Sequence, residues 1–235
     1  MTALPHPDLG GGDRATGSSN AKEHLLRTII SPDRRLADID KRVVEKALLK
    51  INTPVDEQTI RSLHVGDTVS VSGRLYTGRD AVHQRLHEGV EPPVDLEGHI
   101  IYHCAPVMKK EGGRWVCTAA GPATSSREEP YQWEVIRDYK IRGVIGKGGM
   151  GEKTLAACKE YGAVYLHAIG GAPRVCAASI KHVDGVDWMD LGSPEAIWHL
   201  WVEDFMAIVT MDAHGQSLHR QVFEDSKQRL EAMQA

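Results

Sequence analysis

Residues 121–154, GPATSSREEPYQWEVIRDYKIRGVIGKGGMGEKT, read as loop, helix, strand, loop and the start of a second helix. The first loop sets three hydroxyls (Thr124, Ser125, Ser126) and the guanidinium of Arg127 just ahead of a helical pattern. The second, Gly146 to Gly151, follows the short apolar run Val144-Ile145 and opens the helix at Glu152. Glycine admits backbone conformations closed to other residues and lets a ligand approach the main chain. A glycine-rich turn from strand to helix also offers free N–H groups to an anion, aided by the helix dipole. Both turns therefore predict a site for something negatively charged.

Working outward, Thr68 to Tyr76 alternates apolar and polar residues and predicts a half-buried strand. It ends at Thr77-Gly78-Arg79-Asp80, and a helix follows through Val82 and Leu86 to a stop at Gly89. Residues 99–104 and 114–118 predict two strands joined by a turn at Lys110–Gly113. Beyond the central stretch we expect a helix over 152–161, a strand over 163–168 and a helix over 174–180. Strands near 186–188 and 207–211 and a terminal helix over 217–233 complete the core. Upstream, Leu36, Ile39, Val43 and Ala47 recur at helical spacing, and Ile51 to Pro54 marks a break. Residues 1–20 are rich in Gly, Pro, Ser and Asp and predict disorder. The expected organisation is a tail (1–20), a helical extension (21–50) and an α/β domain with a mixed sheet flanked by helices (51–235).

Composition narrows the function. A net charge of −4 gives no basic face for nucleic acid, and no apolar run approaches the roughly 20 residues that span a bilayer. The cysteines Cys104, Cys117, Cys158 and Cys176 form no CxxC pair, which points to reduced thiols in a cytoplasmic protein and to no metal site built by this chain alone. His83 and His87 have the spacing of a metal pair, but no third ligand follows at a recognisable distance, so a solvated helix face is the expectation. His103, His167 and His214 are expected to be hydrogen-bonded at strand or turn ends. The run Lys147 to Thr154 nearly spells a nucleotide phosphate loop, but Glu152 separates the last glycine from Lys153-Thr154 and breaks the register. What remains is a cationic trio, Arg79, Arg127 and Lys147, each at a loop beside a regular element. The arginine fork matches a carboxylate and lysine adds a point charge, so a small di-acid is the expected ligand.

The segments GRLYTGRDAVHQRL (73–86), GPATSSR (121–127), GVIGKGGMG (143–151), YLHAIGGA (165–172), DLGSPEAIW (190–198) and VEDFMAIVTMDAHGQSLH (202–219) carry a resemblance. In order and spacing they resemble the β subunit, or C-terminal domain, of class I iron–sulfur fumarate hydratases and L-tartrate dehydratases. The resemblance covers about residues 51–220 and leaves the first 50 outside. It implies a swivelling β/β/α fold and a hydro-lyase acting on fumarate and (S)-malate, with tartrate dehydration or non-catalytic dicarboxylate binding as the alternatives. It implies a [4Fe–4S] cluster held by three cysteines of a partner α subunit, in an α2β2 assembly. Arg79, Arg127 and Lys147 fall on the family's carboxylate ligands. The family's base, the first threonine of Gly-Pro-Thr-Thr, falls on Ala123, which leaves Thr124 or Ser125 as the candidate base.

Overall fold

The structure, a computed structural model, describes residues 48–234. The expected tail and all but the last three residues of the expected extension lie outside the described residues. The chain runs β1 (Leu49–Thr53), α1 (Glu57–Arg61), β2 (Thr68–Thr77), α2 (Asp80–His87), β3 (Ile100–Tyr102), β4 (Val107–Glu111) and β5 (Arg114–Ala119). A 3-10 turn at Ser125–Arg127 leads into α3 (Glu129–Tyr139), β6 (Gly143–Gly146), α4 (Glu152–Tyr161), β7 (Val164–His167), α5 (Pro173–Ala178), β8 (Ile180–Asp187), β9 (Ile197–Met211) and α6 (Leu218–Gln234).

Seven strands form one mixed sheet in the order β1-β2-β3-β6-β7-β9-β8. The first five are mutually parallel. Strand β9 is antiparallel to β7 and also to β2, so it closes the sheet: Ile208 pairs with both Thr68 and His167. Alternation then sorts the side chains. Val69, Val71, Leu75, Ile100, Tyr102, Ile145, Val164 and Leu166 join Trp198, Leu200, Phe205 and Val209 in a core inside the closed sheet. Their neighbours Ile101, Val144 and Tyr165 face out and pack with Val82 and Leu86 of α2, Val135 and Ile136 of α3 and Leu155 of α4.

Several sequence expectations are corrected. The break at 51–54 is the strand β1, which starts at Leu49, a residue assigned above to the helical extension. The strand at 99–104 is not joined to 114–118; β5 pairs instead with β4 in a separate two-stranded hairpin. Val107 to Glu111 is largely exposed, so its strand carries no apolar alternation. Strand β9 is 15 residues long and begins ten residues before the expected start at 207. Ile180 ends no helix; it opens β8, which runs to Asp187.

The helix α4 lacks a side-chain cap of its own. Glu129 of α3 supplies one, accepting from Gly151 N at 2.7 Å, Lys153 N at 3.0 Å and Thr154 N at 3.3 Å, and from Thr154 Oγ1 at 2.6 Å. Three N–H groups at this helix start, where an outside anion was expected, are therefore taken by a carboxylate of the same chain. That arrangement is also unsuited to a nucleotide phosphate.

Candidate functional site

Parallel strands gather their carboxyl ends on one edge, the usual place for ligands in α/β folds. Arg79 follows β2 and caps the start of α2 in extended conformation. His103 follows β3, Lys147 follows β6, and His167 ends β7. The loop 121–127 is pinned between two of these ends. Ala123 N donates to His103 O at 2.6 Å, Lys147 N donates to Ala123 O at 3.1 Å, and Ser125 N donates to Lys147 O at 3.0 Å. The structure thus brings together the loops that carry the three sequence-derived cations. Arg127 Nη1 lies 3.9 Å from Asp80 Oδ2, beside Arg79, and Thr124 forms a β-bridge with Lys147.

The cations differ in how firmly they are held. Arg79 Nη1 pairs with Glu195 at 3.1 Å, and Glu195 also accepts from Ala81 N, so one carboxylate both orients the guanidinium and caps α2. Its Nε is buried without a partner. The Arg127 side chain is 66% exposed, which leaves its fork open to a ligand. Lys147 has no ion-pair partner among the described residues.

The hydroxyls divide sharply. Thr124 is exposed. Ser125 is fully buried, 2.8 Å from His103 Nδ1 and 2.9 Å from Tyr165 OH. Gly146 is there to make room for it: a Cβ on Gly146 would lie 1.8 Å from Ser125 Oγ and 2.9 Å from the Tyr165 oxygen. Over-packing of this kind costs roughly 1–3 kcal/mol, so we expect Gly146→Ala to lose at least that much stability in urea melts. A wild-type midpoint would mean that Ser125 is not locked in place. Gly149 is similarly constrained, by a φ of +80° and by the His219 ring 2.4 Å from its would-be Cβ.

Behind the loops lies a polar interior that sequence reasoning missed. His83 is buried, not solvated, while His87 is exposed and bonded to Glu134. His83 and His103 both reach Gln132, which is also fully buried. Glu128 is 1% exposed and neither of its carboxylate oxygens has a hydrogen-bond partner. Burial and then the neighbouring Asp80 raise its pKa to about 8. Burial holds the imidazoles of His83 and His103 below the ordinary histidine range. The only signals in the sequence were a histidine at a strand end and a polar residue on the inner face of α3.

No three His, Cys, Asp or Glu side chains among the described residues are placed to hold a metal ion. Burial pushes the thiols of Cys117 up to about 11 and Cys158 up to about 12, and raises those of Cys104 and Cys176. A 480 Å³ depression lined by Pro92, Leu96 and Tyr139 sits before β3 and β6, at their amino ends and away from the cations. No helix among the described residues is long and apolar enough to cross a membrane.

Fold and loops together define an α/β domain that presents two arginines, a lysine and an exposed hydroxyl at the carboxyl edge of a parallel sheet. The chain belongs to the Fumarase C-terminus family, whose model matches residues 23–222. The match starts well ahead of residue 51, so part of the stretch placed outside the resemblance falls within the family. A "Putative fumarate hydratase class I" from Geobacillus stearothermophilus is 54% identical over 187 residues, covering 79% of this chain and 36% of that protein. A "Putative L(+)-tartrate dehydratase subunit beta" from Methanocaldococcus jannaschii is 41% identical over 74% of this chain and 92% of its own length. The L(+)-tartrate dehydratase subunit beta of Escherichia coli K12 is 35% identical over 72% and 85%. The chain thus spans about a third of the first relative and most of the other two.

Proposed function

We propose that this chain is the β subunit of a hydro-lyase that interconverts fumarate and (S)-malate. The observation that carries this reading is the placement of the loops bearing Arg79, Arg127 and Lys147 at one sheet edge, in a chain 54% identical over 187 residues to a relative named "Putative fumarate hydratase class I". Two carboxylates need more than one cation, and the arginine forks fix their orientation as well as their charge. Thr124 is the hydroxyl we assign to proton transfer at the substrate carbon, because it is exposed beside Lys147. Ser125, the other candidate, is sealed in the interior, and Ala123 has no exchangeable proton.

The described residues do not fit an iron–sulfur cluster as its ligands, since no three His, Cys, Asp or Glu side chains among them are placed to hold metal. In our reading a [4Fe–4S] cluster belongs to a cluster-bearing α subunit, with an α2β2 assembly in the cytoplasm and a swivelling β/β/α arrangement of this domain. The exposure of Arg127 and Thr124 supports a site completed by that partner. So do the exposed Val222, Phe223, Leu230 and Met233 of α6, a helix with no buried residue.

Tartrate dehydration is the second reading, favoured by two relatives whose length this chain nearly spans. Assays of the assembled complex with malate and with L-tartrate separate the two. We expect fumarate from malate. Turnover of tartrate alone would replace the first reading with the second, and malate binding without turnover of either acid would leave only a binding subunit.

A further inference from the structure

The structure assigns Gln132 as a positioning residue that sets the spacing of the three cation-bearing loops, and through it the length of di-acid the site accepts. This inference rests on the function proposed above.

The hydrogen-bond donors must be placed first. His83 Nδ1 lies 2.9 Å from the Arg79 carbonyl, so it carries the proton and donates. His83 Nε2 and His103 Nε2 lie 2.9 Å and 2.8 Å from the same end of the Gln132 amide, at Oε1. A carbonyl there would need a proton on both Nε2 atoms and would make His83 a cation. Burial opposes that charge, with no carboxylate hydrogen-bonded to the ring. With the amide turned, its NH2 group donates one hydrogen to each bare Nε2, and the carbonyl oxygen takes the buried position without a partner that the nitrogen held before. His103 is then protonated on Nδ1 and donates to Ser125 Oγ at 2.8 Å.

One continuous chain follows from this assignment. It runs from the Arg79 carbonyl through His83, Gln132, His103, Ser125 and Tyr165 to the N–H of Gly149 at 3.3 Å. All five linking side chains are fully buried. The ends of the chain lie in the Arg79 turn and the Lys147 loop, and Ser125 ties in the loop of Arg127. Within this run of side chains Gln132 joins the first of these to the other two, beyond the strand pairing and the Arg127–Asp80 contact that also connect them. A di-acid's carboxylates are held apart by its carbon chain, so loops fixed at one spacing discriminate by chain length, and loops released from each other do not.

The test is competitive inhibition of the assembled complex by malonate, succinate and glutarate. We expect the wild type to prefer succinate by about 10-fold or more, the loss of one charge-assisted hydrogen bond. Gln132→Leu keeps the volume but leaves both imidazoles unpaired, and it should flatten the preference to about 3-fold or less as the loops uncouple. Gln132→Glu accepts from both Nε2 atoms, which makes His83 an imidazolium and moves the His103 proton from Nδ1 to Nε2, with Ser125 Oγ then donating to Nδ1. It therefore restores the preference while raising the His83 titration. A merely structural role would lower the melting temperature of Gln132→Leu and leave the inhibitor ratios unchanged, which overturns the proposal. Were Gln132→Leu not to fold, Ser125→Ala cuts the same chain at its other loop and is read in the same way.

A second readout is independent of function. Imidazole nitrogen NMR of the full chain should find Nε2 of His83 and His103 unprotonated near neutral pH, and a proton on either overturns the tether. A wild type that binds none of the three acids, or all equally, overturns the selectivity claim; the first of these outcomes also removes the proposed function, while the NMR result still decides the tether.

Discussion

Thr124→Ala is expected to lower kcat of the assembled complex by about 10²- to 10⁴-fold, the usual worth of general acid–base catalysis. Substrate affinity should change little, because Arg79, Arg127 and Lys147 stay in place. The reasoning is one of access. Of the two hydroxyls considered from sequence, one is exposed beside Lys147 and the other is enclosed by His103, Tyr165 and Gly146. The main chain at Ala123 is held at both its N–H and its carbonyl, so no loop shift is available to bring Ser125 outward. Steady-state kinetics decide the matter. A wild-type kcat in Thr124→Ala would place the proton-transfer group outside this loop.

Glu128→Gln should remove a pH dependence of stability. The carboxyl of Glu128 faces Asp80 and Arg79 at the start of α2 and His103 at 3.8 Å, with His83 and Arg127 nearby. Its folded pKa of about 8 lies above the ordinary 4.5, so the folded protein holds a proton that the unfolded chain has released. Its contribution is complete below the unfolded value and is lost as pH rises towards 8. The fully expressed slope is about 1.4 kcal/mol per pH unit. His83 and His103 act in the opposite sense, since they are held neutral and destabilise the fold as pH falls below about 6.5. Between about pH 6.5 and 8 the wild type should therefore lose stability with rising pH by this route while Glu128→Gln does not. Parallel slopes in denaturant melts would show that Glu128 is already ionised in the folded state.

Much of the site could be read in the sequence because its groups are local to turns. Arg79, Arg127 and Lys147 each stand next to a recognisable strand or helix boundary, and strand–turn–helix punctuation places such residues at a sheet edge. The same logic overreached at Gly151 to Thr154, where the anion that fills the helix start is Glu129, 22 residues upstream of Gly151. Long-range pairing was also hidden. Strand β9 closes the sheet through partners in β2 more than 100 residues away, and its alternation breaks at Glu203 and Asp204, both exposed. The network through His83, Gln132 and His103 left almost no signal, because each residue alone reads as an ordinary polar position. Only packing brings three buried polar side chains to one point.

In the function proposed here Arg79, Arg127 and Lys147 form a cradle for two carboxylates. Equilibrium titration of malate into the assembled complex, wild type against Arg127→Lys, tests it most directly. Lysine keeps the charge and loses the fork, and a charge-assisted hydrogen bond contributes about 1.5–3 kcal/mol, so binding should weaken by roughly 10- to 100-fold. Identical affinity in the two proteins would contradict it and return Arg127 to the status of a surface residue.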